Sequence, residues 1–307
     1  MKFLFCVHDW QRSGQHRVLA EYINRLKQRG HQVNWWSPAC RFFPDWIALP
    51  RTGIDFDDAK AQTWDVSVIC DTDVLTHALE FPARKRVFFA QHYEHAKKDQ
   101  YYVAVASGCA IYGTSHYVVS AFERLGAIEP RRTRNGANLD EFYPIENIGP
   151  FHGTYILVAP SMCDQVGLAE RAAIHLAKAH KLTTIGIGIK GDLDQYVHYP
   201  RLTDYRRLYS GAVFTLKAAS VSSSSLTPYE SVACGTPVLM GVNEGEDWWM
   251  NGKNCARTRY SYDDIVRAGE QWLTDAFLYN RARVAARKFS SHVGWAAALE
   301  WFCQWLD

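Results

Sequence analysis

The feature that most constrains the fold is a twice-repeated alternation of short apolar runs with amphipathic ones. Residues 2–7 (KFLFCV) read as a strand, a continuous apolar run of the kind buried on both faces of a parallel sheet. Residues 16–29 read as an amphipathic helix, with Val18, Ile23 and Leu26 on one side and Gly30 just past the end. A strand returns at 32–36, and further strands are expected at 65–70, 86–90 and 109–113, with helical patterns near 73–80, 96–106 and 115–125. The Gly/Pro-bearing stretch 144–153 (PIENIGPFHG) reads as a linker. The pattern then restarts with strand 154–159, helix 166–180, strand 182–187, helix 203–209, strand 211–216, helix 228–234 and strand 236–240. Helical stretches at 262–274, 276–289 and 291–306 close the chain. A length of 307 residues suits two domains of about 150 residues each. The expected fold is therefore α/β, two Rossmann-like doubly wound domains facing a cleft. The expected domains are 1–148, joined by a returning helix at 289–307, and 149–288.

Bulk properties exclude several classes. A formal net charge of +2 does not mark a nucleic-acid binder. The basic runs Arg84-Lys85-Arg86 and Arg131-Arg132 with Arg134 permit DNA contact, but solvated charge explains them as well. No segment approaches the ~18 apolar residues of a membrane span. Eight cysteines are present without a C-x-x-C pair or zinc spacing, so reduced thiols and a cytoplasmic protein, or one peripheral to a membrane, are expected. Residues Trp35, Trp36, Phe42, Phe43 and Trp46 bracket a loop with Arg41 and Pro44 that can face an acceptor or a membrane. Core is the expected place for one of Trp35 and Trp36, since adjacent strand residues face opposite sides.

The most informative segment is 226–240, LTPYESVACGTPVLM. Pro228 fits a helix's first turn, which would place Glu230 there beside free backbone N–H groups. Such a helix start is an anion site, and a glutamate there can accept two hydrogen bonds from the vicinal diol of a ribose. An ordinary helix with a favourable first-turn Glu is the alternative on physics alone.

The run PYESVACGTPVL resembles the donor-binding segment of retaining GT-B glycosyltransferases of family 4. In that family a Glu, seven residues, and a second Glu precede Ala-Cys-Gly-x-Pro-Val. Glu230 matches the second, which holds the nucleotide ribose, whereas Ser222 stands where the first is expected. Residues 134–144 (RNGANLDEFYP) resemble the family's Pro-Asn-Gly-Val-Asp…Phe-x-Pro element, and residues 114–125 its Ser-bearing helix start. Ser13-Gly14 resembles the first domain's glycine loop, and 289–306 its terminal helix. His92, within AQHYEH, matches a His near the donor sugar in many members, though a structural His fits equally. Two phosphate-binding cations of the family are replaced by Pro160 and Val166, while Gly167 is kept.

The resemblance implies transfer of a sugar from a UDP- or GDP-linked donor, retaining and without a metal. No cofactor beyond that co-substrate is implied, and the acceptor is open: a glycan, lipid, protein or modified DNA base. Helix N–H groups near Ser225, Leu226 and Thr227 are expected to hold the diphosphate, with Lys190 or Arg201 as the added cation. A catalytically inactive GT-B binding protein is the main alternative, favoured by Ser222, Pro160 and Val166. A third is an NAD-dependent enzyme, since Gly186, Gly188 and Gly191 fit G-x-G-x-x-G with Asp204 following. Asp71/Asp73, Asp55/Asp57 and Asp192/Asp194 have Asp-x-Asp spacing, for which solvated turns or helix caps are the expected explanation.

Overall fold

The computed structural model describes residues 1–11, 13–40, 53–145, 153–159, 164, 167–188, 191–198, 201–222, 224–245, 255–304 and 306. They form two compact units, Met1–Asn135 with Ala298–Asp307, and Gly136–Ala297.

The first unit runs β1 (Lys2–Cys6), α1 (Gly14–Gln28), β2 (Gln32–Trp36), α2 (Phe56–Lys60), β3 (Trp64–Ile69), α3 (Leu75–Ala78), β4 (Ala83–Ala90), α4 (Lys98–Ala106), β5 (Ala110–Gly113), α5 (His116–Arg124) and β6 (Arg131–Arg132). The strands form one sheet in the order β2-β1-β3-β4-β5-β6, every pair parallel. Phe3, Leu4, Phe5 and Cys6 are all buried, as a strand covered on both faces requires. The same cover buries both Trp35 and Trp36, so the expectation of one core Trp is corrected: opposite faces of this sheet are both interior. Residues 41–46, the rest of that aromatic loop, lie outside the described residues.

The second unit runs β7 (Tyr155–Val158), α6 (Leu168–His180), β8 (Thr183–Ile187), β9 (Gln195–Val197), α7 (Leu202–Gly211), β10 (Thr215–Ser222), α8 (Leu226–Ala233), β11 (Val238–Gly245), β12 (Cys255–Thr258), α9 (Tyr262–Thr274) and α10 (Ala276–Phe289). Its sheet order is β12-β11-β10-β7-β8-β9, again all parallel. The last helix, α11 (Trp295–Cys303), carries the chain from this unit into the first. The fold is thus α/β with two doubly wound parallel sheets.

Packing divides the chain at Asn135/Gly136 and Ala297/Ala298, not at the linker near 148 or at 289. The reason is local. Ala137 N–H donates to Val293 O at 2.8 Å, and Ala137 bridges Gly294 in parallel. A Cβ on Gly136 would sit 2.7 Å from the backbone N of Trp295, so only glycine lets the two segments meet. Sequence patterning also misplaced β10, expected at 211–216. Helix α7 continues to Gly211, and the strand then runs from Thr215 to Ser222.

Candidate functional site

In open α/β sheets, ligands bind beyond the carboxyl ends of the strands, where successive connections turn to opposite sides. The strand orders place that switch point between β1 and β3 in the first unit and between β7 and β10 in the second.

At the second unit's switch point, β10 ends at Ser222 and α8 begins after its N-cap, Ser225. The Ser225 side chain makes no capping hydrogen bond, and the first turn of α8 holds no acidic residue. Leu226 is buried and Thr227 half-buried. The other nearby helix start, that of α6, is closed. Asp164 accepts from Leu168 N at 2.9 Å and Ala169 N at 3.0 Å, and Tyr260 donates its hydroxyl to the same carboxylate at 2.8 Å. The carboxylate satisfies the donors and dipole that an external anion would use, leaving α8 as the open helix start here.

Sequence reasoning missed Lys217, which is 4% exposed and lies within β10. Alternate residues of β10 share a face. Thr215 meets Ser231 of α8 at 2.8 Å, and Ala219 shares a core with Tyr229 and Val232. Lys217, between them, therefore faces α8. The available signal was a single Lys inside the apolar run AVFTLKAA; a buried ammonium demands a charged or polar partner. Arg201 is exposed just before α7, and Lys190, Pro160 and Val166 lie outside the described residues.

The helix starts at Leu226, not Pro228, so Glu230 belongs to its second turn and the first-turn placement is corrected. Pro228 still occupies the first turn, where its missing N–H costs no intrahelical bond. Glu230 is 2% exposed, and its Oε2 accepts from the Tyr209 hydroxyl at 3.1 Å. Tyr209 is itself fixed, its carbonyl accepting from Thr236 Oγ1 at 2.7 Å. Gly235 closes α8 with φ +76°, a conformation that favours glycine. Burial pushes the neighbouring Cys234 thiol up to about 12, so it is an inert core thiol.

At the first unit's switch point, the loop after β1 meets the loop after β3. Asp71 accepts from His8 N at 3.0 Å through Oδ2 and from Gln15 Nε2 at 3.3 Å through Oδ1. Ser13 is the N-cap of α1 and Gly14 its first residue. Ser13 Oγ accepts from His16 N at 3.3 Å and contacts His16 Nδ1 at 2.9 Å. Gln11 N also donates to that Nδ1, at 3.3 Å, leaving Nε2 3.8 Å from Asp9 Oδ1. Burial holds the His16 imidazole below its usual range, against the pull of Asp71 and Asp9. It raises the Asp71 carboxyl above the usual range. His92 follows the next strand, β4, half-buried and likewise lowered by burial, so its ring is neutral at pH 7.

The remaining expectations separate. Gly188 follows β8, and the next element along the chain is the strand β9 instead of a helix. A dinucleotide fingerprint needs a helix start for its pyrophosphate, so the NAD-dependent alternative is set aside. Asp194 is structural, its Oδ2 accepting from Thr184 N and Oγ1, both at 2.8 Å. Asp55 precedes α2 as its N-cap residue. No group of three metal-ligating side chains occurs among the described residues, and no described helix is long and apolar enough to cross a membrane. A cavity of about 310 Å³ lined by Trp35, Trp36, Phe56 and His77 lies off the edge strand β2. Its lining also includes Ser37, Pro38, Cys40, Ile54 and Asp55.

The sequence matches no protein-family profile and no curated protein. Solved structures do match. Anabaena HepE in complex with UDP and glucose is 12% identical with a TM-score of 0.71, covering 99% of this chain and 98% of its own. Sucrose-phosphate synthase from Thermosynechococcus elongatus is 14% identical with a TM-score of 0.73, over 99% and 98%. An α-glucosyltransferase in complex with UDP and a 13-mer DNA containing an HMU base is 12% identical with a TM-score of 0.67, over 96% of each chain. The chain has the GT-B fold of these glycosyltransferases.

Proposed function

We propose that the chain is a glycosyltransferase that takes a sugar from a UDP- or GDP-linked donor, retaining its anomeric configuration and using no metal. What supports this is the second unit's switch point: α8 begins beyond β10 with no side-chain cap and no acidic residue in its first turn, and Lys217 lies buried within β10. A diphosphate needs about two positive charges, and a helix start supplies only about half of one. Lys217 supplies a full charge in a site that excludes water, where it acts most strongly on a departing diphosphate. Glu230, one turn further along α8, holds the ribose diol, and Tyr209 fixes its carboxylate. The likeness to folds solved with UDP supports a uridine nucleotide first.

The first unit takes the acceptor. His92, neutral and half-buried after the end of β4, takes the catalytic role that the resemblance gives it, as a ring able to donate or accept a hydrogen bond without adding charge. A second reading, an inactive binding protein of the same fold, is favoured by one observation: Ser222 stands where the resemblance expects a carboxylate.

One experiment separates the readings. A panel of UDP- and GDP-sugars is assayed for nucleotide release in excess chelator, with nucleotide binding followed by calorimetry. The expected result is release from one donor, undiminished by chelator. Nucleotide binding without release supports the inactive protein. Failure of both UDP and GDP to bind removes glycosyl transfer altogether.

A further inference from the structure

Helix α10 has two sides, and the fold uses only one of them. Its sequence, AFLYNRARVAARKF, holds the cations Arg281, Arg283, Arg287 and Lys288 and no carboxylate. On the inner side, Ala282 packs into the core that contains Phe214 and Trp272, and Ala286 into that of Val232. Tyr279 donates its hydroxyl to Val213 O at 2.9 Å. The outer side is open. Residues four and seven apart share a helix face, which aligns Phe277, Arg281, Val284 and Lys288 in one stripe, roughly 17 Å long at 1.5 Å per residue. Phe277 is 72% and Val284 52% exposed, and Arg281, Arg287 and Lys288 are exposed with them.

Charge on this side is segregated. Elsewhere on the surface, cations sit beside carboxylates, Lys60 with Glu80 and Arg131 with Glu129 among them. Arg281, Arg287 and Lys288 have no such partner among the described residues. Asp275, just before the helix, is turned onto its start, accepting from Phe277 N at 2.9 Å and Leu278 N at 3.0 Å. On α9, packed alongside, Asp264 and Glu270 are taken by Arg267 and His180, which leaves Asp263 against three unpaired cations. Exposed apolar side chains set between cations suit a surface that offers anions in one plane and an apolar layer just beneath, as an anionic bilayer does. A nucleic acid offers the anions without the layer, and a second copy of this chain would bring the same cations and repel.

We propose that the outer face of α10 docks on an anionic phospholipid surface. Phe277 and Val284 enter the headgroup boundary, and Arg281, Arg287 and Lys288 meet the lipid phosphates. The helix lies in the plane of that surface while its inner side stays packed on the second unit. None of these residues belongs to the donor site, so the inference stands apart from the glycosyl-transfer reading.

Vesicle co-sedimentation tests this, with phosphatidylcholine alone and with phosphatidylcholine mixed with phosphatidylglycerol. The proteins are the wild-type chain, the double variant Arg281→Gln/Lys288→Gln, Phe277→Ser and, as a control away from this face, Arg84→Gln. Every substituted side chain is exposed, and circular dichroism checks the folds. The wild type should bind the mixed vesicles and not phosphatidylcholine alone. Loss of two charges should weaken that binding about thirtyfold, and Phe277→Ser should weaken it about tenfold or more, while Arg84→Gln binds as the wild type does. A DNA duplex should bind the wild type more weakly than the mixed vesicles do. The proposal is overturned if the mixed vesicles do not bind the wild type, if either face variant binds them equally, if Arg84→Gln weakens binding as much as the face variants, or if DNA binds more tightly.

Discussion

Lys217→Met is the sharpest probe of the donor site. The substitution keeps an unbranched side chain of similar length and removes the charge. At an effective dielectric near 20, an ammonium about 4 Å from a unit negative charge gains about 4 kcal/mol, which sets a ceiling. Desolvation and lost water contacts reduce the net value to that of a charged hydrogen bond, about 1.5–3 kcal/mol. Burial of Lys217 to 4% exposure puts it toward the upper part of that range. UDP affinity should therefore fall about 10- to 150-fold. The α8 start alone contributes about 0.3–1 kcal/mol, so it cannot mask the loss. Calorimetric titration with UDP, and with uridine as the control lacking phosphates, reads the effect. Uridine binding should be unchanged. Where Met disturbs folding, Lys217→Gln retains a donor at nearly the same length. A folded variant that binds UDP within twofold of wild type would refute the assignment of Lys217 to the diphosphate.

Other outcomes follow from the same geometry. Glu230→Gln should weaken UDP binding about tenfold, while Tyr209→Phe should cost about 1 kcal/mol in a urea melt and change nucleotide affinity less. If both variants alter stability alone, Glu230 is a core carboxylate and nothing more. His92→Ala should lower kcat more than it raises the donor KM, because a neutral group beside the reacting sugar acts mainly in the transition state; wild-type turnover returns it to structure. His16 lies below its unfolded value of 6.5 through burial, so the folded chain prefers the neutral ring. Its contribution to stability is present above 6.5 and is lost as pH falls toward the folded value. Melting temperatures at pH 7 and pH 5 should therefore differ less in His16→Gln than in wild type, and an equal acid shift in both would contradict this.

The long, strongly patterned elements were legible in the sequence because burial on both faces leaves near-continuous apolar runs, as in β1 and β7. The short strands were not. β6 is the pair Arg131–Arg132, and β9 begins with Gln195; both are edge strands, where polar residues are tolerated and useful. The start of α8 lies two residues before Pro228 because proline fits throughout a helix's first turn and does not mark its first residue. Glu230 is a candidate by its neighbours in sequence, whereas its partnership with Tyr209 joins two helices and no local pattern encodes it. Lys217 carries no local signal that would single it out as a donor-site candidate. A charged residue beside an apolar run gains its meaning from the strand on its other side, and strand order is a property of the whole sheet.

The returning segment Ala298–Asp307 changes how the first unit is made. Phe302 packs on Tyr22, Phe89 and Tyr112, and Lys85 Nζ donates to Leu306 O at 2.9 Å. None of these contacts exists while residues 1–135 alone have left the ribosome. At about 5–20 residues per second, synthesis of the intervening unit imposes a wait on the order of ten seconds. Through that interval Tyr22, Phe89 and Tyr112 lack their covering ring. The first unit is therefore completed only after the second has been synthesised, and an aromatic patch stands open to chaperones until Phe302 arrives.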